Sequence, residues 1–133
     1  MACHISPAQI VAQSPIRRLR LSDTFAISLK IVHMVVIADF CLIPIGIGVS
    51  VSKEIAACER VLAEAGLKTR LHAYGTNIEG EWDDVFAAIK RCHEVVHAMG
   101  TPRVSSILRF GTRIDRSQTM DEKVRSVQQK LEK

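Results

Sequence analysis

The sequence predicts an α+β sandwich: four strands and two helices in the order β-α-β-β-α-β, with one further helix towards the C-terminus. Three observations point there. β-branched runs alternate with a period of two, apolar stripes recur at helical spacing, and glycine or proline separates one pattern from the next. Two split strand–helix–strand halves of this kind close into one antiparallel sheet with both helices on the same face, the ferredoxin-like arrangement.

The first strand is predicted over residues 35–45, a β-branched and aromatic run that Pro44, Gly46 and Gly48 bring to an end. Its nearly continuous apolarity predicts cover on both faces. Ser50 and Ser52 are the N-cap candidates of the first helix, with Glu54 placed to meet the positive end of its dipole. Val51, Ile55, Cys58, Leu62 and Ala65 make its apolar stripe, and Gly66 stops it. Thr69, Leu71 and Ala73 then alternate with Arg70, His72 and Tyr74 as a second strand. A tight turn near Gly75 returns the chain through a short strand from Thr76 to Glu79.

Gly80 is expected to begin the second helix, whose first turn carries Glu81, Asp83 and Asp84. Trp82, Val85, Phe86, Ile89, Cys92, Val96 and Met99 form its predicted stripe, closed by Gly100 and Pro102. A fourth strand alternates Val104, Ser106, Leu108 and Phe110 with Ser105, Ile107, Arg109 and Gly111. Thr119 to Glu122 then spells a capping box ahead of Val124, Val127 and Leu131. The sheet face away from the helices would carry Arg70, His72, Tyr74 and Arg109 among smaller residues. Its semi-apolar character predicts burial against a second sheet, hence a homo-oligomer with ligand pockets at the interface.

Composition narrows the function classes. Of 133 residues, 47% are hydrophobic and 24% charged, ordinary for a globular chain, and aromatics are sparse. The net charge of +4 is unevenly placed. Arg17, Arg18, Arg20 and Lys30 face Asp23 alone in residues 1–33, while the remaining hundred residues hold 14 basic and 13 acidic side chains. No basic stripe on the folded body is predicted, so nucleic acid is not an expected partner. The apolar stretch from Ile31 to Val51 is interrupted by His33, Asp39 and Pro44, and a membrane span is not expected. Cys3, Cys41, Cys58 and Cys92 are scattered without a CxxC pair, which fits a reducing, cytoplasmic setting. Residues 1–33 are set apart from the domain at 34–133. They read as an upstream extension, with Met34 as a natural start, or as a mitochondrial transit peptide.

Several motifs carry chemistry. Tyr74-Gly75-Thr76-Asn77-Ile78-Glu79-Gly80 places an aromatic ring, a hydroxyl, an amide and a carboxylate within seven residues held by sheet pairing. Such a constellation suits recognition of a small polar ligand. Gly46 and Gly48 precede a helix but lack the spacing of a phosphate loop, and the turn reading outweighs one in which their amides line a pocket. Arg109 lies mid-strand and needs a partner, for which Glu79 is the candidate. His93-Glu94-Val95-Val96-His97 matches HExxH, the zinc-hydrolase pattern. The third ligand position of its extended form is Arg103, which cannot bind zinc, and Val96 belongs to the buried stripe. No metal or catalytic residue is therefore assigned.

The blocks Asp39 to Gly46, Tyr74 to Glu81, His93-Glu94 and Arg103 to Arg113 together resemble the thiamine-binding (YkoF-like) protein family, most closely its small fungal single-domain members. The resemblance spans Val35 to Lys133 and accounts for HEVVH as family sequence. It implies a ferredoxin-like fold, dimers pairing into tetramers, and non-catalytic binding of thiamine or hydroxymethylpyrimidine with no cofactor. The implied ligand-binding residues are Gly46, Gly48 and Ser52 of the glycine-turn-helix block and Gly75, Thr76 and Glu79 of the middle block, with Tyr74 beside them. Ile47 departs from the polar residue that often follows the first glycine. A structural or regulatory oligomer that binds another protein is the alternative, and a small zinc hydrolase using HEVVH ranks behind both.

Overall fold

Strand propensity and pairing together decide where each element stops. The computed structural model describes residues 33–132. The predicted leader or extension therefore lies outside the described residues, except for His33. Four strands are present: β1 (Val35–Ile45), β2 (Lys68–His72), β3 (Gly75–Glu81) and β4 (Arg103–Thr112). They are ordered β2-β3-β1-β4, and every pair is antiparallel. Helices α1 (Ser52–Glu64) and α2 (Trp82–Ala98) each connect the two strands of one half, and α3 (Met120–Leu131) follows the last strand. This is the ferredoxin-like α+β fold.

The core lies between the sheet and the two connecting helices. Val36, Ala38, Phe40 and Leu42 of β1 and Ile78 of β3 meet Cys58, Val61 and Leu62 of α1 and Val85, Ala88, Cys92 and Val96 of α2. Trp82 and Phe86 stack at a ring separation of 4.6 Å, and Phe110 meets both edge-on, which seals the end of the core near the start of α2.

β1 is covered on one face only. Its even-numbered residues are buried while Val35, Ile43 and Ile45 of the other face are exposed, because both helices pack on the same side. Gly80 does not start α2. Gly80 and Glu81 pair with Val36 and Val35, so ladder hydrogen bonds hold them in β3 and the helix begins at Trp82. α1 has no serine cap. Its N-cap is Val51, and the Ser50 and Ser52 hydroxyls lie 3.3 Å from each other. Ala65, Trp82 and Met99 fall at the ends of their stripes and are exposed.

Both backbone amides of α3 that a capping box serves are satisfied: Thr119 accepts from Glu122, and the Glu122 carboxylate accepts from the Thr119 amide. The helix is attached by its first turn. Met120 is buried, its amide donates to Glu79 at 2.7 Å, and Asp121 takes Lys68 at 2.6 Å and Arg70 at 2.5 Å. Val124, Val127 and Leu131 are exposed. No helix among the described residues is long and apolar enough to cross a membrane.

Candidate functional site

A cleft of about 300 Å³ opens where β1 outruns β3. The β1–β3 ladder ends at Phe40 opposite Thr76, whereas β1 runs on to Ile45, paired only with β4. α1 covers the gap with Val51, Ile55, Cys58 and Leu62, and the turn between β2 and β3 closes it at the side. The walls are mainly apolar, the usual composition of a small-molecule pocket.

Two polar side chains are built into this wall. Thr76 is buried and donates its hydroxyl to Glu59 Oε1 at 2.5 Å. Glu59 lies on the cleft side of α1, one residue after buried Cys58, so helix geometry carries its carboxylate to the start of β3. One oxygen is held by Thr76, which leaves acceptor capacity on the carboxylate for a ligand.

The strand itself supplies a second hydrogen-bonding edge. A Cβ on Gly75 would stand 2.6 Å from the Phe40 carbonyl oxygen, so Phe40 turns its backbone polar groups towards β3. Antiparallel alternation turns the Leu42 N–H and C=O the same way, past the last β1–β3 pair and onto the cleft that Leu42 lines. Pro44 comes next on that side. Its missing N–H would have faced the gap and not the β4 ladder, which is why β1 tolerates a proline. Gly75 is needed for the close approach itself, since any side chain there would strike backbone.

The predicted residues divide accordingly. Tyr74, Gly75 and Thr76 line the cleft, Tyr74 at its rim with 87% of its surface exposed. Gly46 and Gly48 lie in the turn between Pro44 and Val51 and have φ of 90° and 109°, the left-handed region that glycine admits freely. They and Ser52 shape the chain beside the cleft without lining it. Glu79 is absent from the lining. Alternation with buried Ile78 places it on the opposite sheet face, where its carboxylate caps α3. Nor does it meet Arg109. The partner of Arg109 is Asp39, directly opposite on β1, whose other oxygen lies 2.8 Å from His72 Nε2. The bonds from Arg109 first, and then from His72, hold the Asp39 carboxyl below its ordinary value of 3.8.

Sequence reasoning missed Glu59. Its position beside Cys58 in the α1 stripe was the available signal, because a carboxylate on the shoulder of a buried stripe must face a partner or a cavity. The HEVVH histidines are separated in use. His93 Nε2 meets Ser106 Oγ at 2.7 Å, and His97 Nδ1 donates to the Thr101 carbonyl at 2.9 Å. Neither lines the cleft, and no cluster of three or more candidate metal ligands occurs among the described residues. Cys58, in the cleft floor, and Cys92 direct their sulfurs at each other's carbonyls at 4.0 and 3.8 Å. Contact with Cys58 and burial both push the Cys92 thiol up.

A family described as thiamine-binding protein matches residues 38–128. A UPF0045 protein of Synechocystis is 64% identical over 103 residues, covering 77% of this chain and 85% of its own length. One from the fungus Eremothecium gossypii is 40% identical over 96 residues, covering 71% and 91%. The solved structure of a hypothetical protein from Methanocaldococcus jannaschii superposes with a TM-score of 0.66 at 33% identity, covering 71% of this chain and 96% of that one.

Proposed function

Because the chain belongs to the thiamine-binding protein family, we propose that the cleft beneath α1 binds thiamine or a related aminopyrimidine such as hydroxymethylpyrimidine, without turning it over. The observation that carries this is the Thr76–Glu59 hydrogen bond at the edge of an otherwise apolar cleft. An aminopyrimidine is flat and largely apolar on its faces, with donors and acceptors only on its edge. Phe40, Leu42 and Leu62 suit the faces, Glu59 accepts a hydrogen bond from the amino group, and the Leu42 N–H and C=O complete the edge. Tyr74 at the rim offers its ring to a cationic thiazolium.

Isothermal titration with thiamine and with hydroxymethylpyrimidine tests the assignment. The wild-type chain gives saturable heat, Glu59→Ala loses it, and Glu79→Ala keeps it. Heatless titrations at millimolar ligand, or loss with Glu79→Ala alone, refute it.

We further propose that a second copy of the chain covers the sheet face opposite the helices. Val35, Ile43, Ile45 and Ile107 are exposed there around the mutually neutralising Asp39, Arg109 and His72, and the apolar stripe of α3 lies beyond its docked first turn.

A further inference from the structure

Resting on the binding assignment above, we infer that Glu59 is the residue that sets ligand specificity, selecting a ring with an exocyclic amino group over the same ring with an oxo group in its place. A carboxylate accepts hydrogen bonds and cannot donate them. Thr76 has one hydroxyl proton and spends it on Glu59 Oε1 at 2.5 Å, so it has none left for a ligand carbonyl. Among the acidic, basic and histidine side chains of the described residues, only Glu59 and His72 line the cleft, and His72 is engaged by the Asp39 carboxylate and by the Tyr74 amide, which donates to Nδ1 at 3.4 Å. No lysine or arginine among the described residues lines it. Apart from the Tyr74 hydroxyl at the rim, the cleft's side-chain polarity is therefore acceptor in character, and its backbone donor is the Leu42 N–H.

An amino group directed at Glu59 is matched. An oxo group in the same position sets two acceptors against each other in a confined apolar wall, where neither recovers the water it lost. Sites built to hydrogen-bond a ligand N–H discriminate strongly against the analogue that lacks it for this reason. Thr76 is a positioning residue: it fixes the carboxylate without reading the ligand.

Thiamine and its 4-oxo analogue, oxythiamine, are the probes, titrated calorimetrically against the wild-type chain and against Glu59→Gln. The wild-type chain is expected to bind thiamine at least about tenfold more tightly than oxythiamine. Glu59→Gln preserves side-chain shape and adds an amide donor, so the ratio should fall to near unity or invert, with circular dichroism unchanged. Equal binding of both probes by the wild-type chain overturns the inference while the binding assignment stands. A ratio that Glu59→Gln leaves unchanged also overturns it, because another group would then be reading the ring. Absence of binding for both probes on the wild-type chain removes the assignment and the inference together.

Discussion

At the residue scale, two glutamates with similar claims do opposite work. Glu79 sits within the motif that resembles a ligand site, yet its carboxylate bonds the Met120 amide and lies 3.9 Å from Lys68. Glu59 carries no motif and faces the cleft. Asp39 shows the same dependence on neighbours, bridging β4 and β2 through Arg109 and His72. Its folded pKa is depressed, so its contribution is present above its ordinary value of 3.8 and is lost as pH falls through the lower folded value. Asp39→Asn should cost about 1 kcal/mol at pH 7, a modest figure because Arg109 is largely exposed. The gap between variant and wild type at pH 7 should shrink at a pH well below the ordinary value of 3.8. Urea unfolding at both pH values checks this, and a gap independent of pH would remove the charge from the explanation.

At the element scale, α3 is the part most loosely attached. One turn is docked by Met120, Glu79 and Asp121, while Val124, Val127 and Leu131 extend from it uncovered. Its start depends on the reciprocal bonds of Thr119 and Glu122. Thr119→Ala should therefore destabilise α3 by about 1 kcal/mol and speed hydrogen exchange of its amides. Amides of β1 and α2, whose bonds are independent of this cap, should keep their protection. Uniform acceleration across the chain would show instead that α3 unfolds only with the whole domain. β1 illustrates a complementary rule: by outrunning β3, it gives up ladder partners at Leu42 and gains an edge available for recognition.

At the scale of the whole molecule, both connecting helices lie on one sheet face and leave the other uncovered beyond the docked first turn of α3. Sedimentation velocity is expected to show an oligomer for the wild-type chain and a monomer for Ile107→Glu combined with Ile43→Glu, since two carboxylates on that face oppose its burial. A wild-type monomer at micromolar concentration would mean that the face stays open in solution.

The sequence by itself determined the order of the elements, the bounds of β1, the α3 capping box and the core stripes of both connecting helices. Those features follow from periodicity and local capping, which act over a few residues. The hairpin residues Tyr74, Gly75 and Thr76 were legible for the same reason, since turn and strand signals lie next to each other there. Only the tertiary structure decided which carboxylate faces the cleft, because sheet register sends Glu79 to one face and the packing of α1 brings Glu59 to the other. It also decided that Asp39 answers Arg109 and that Gly80 stays in a strand. Those outcomes depend on partners 17 to 70 residues away, which no local pattern encodes.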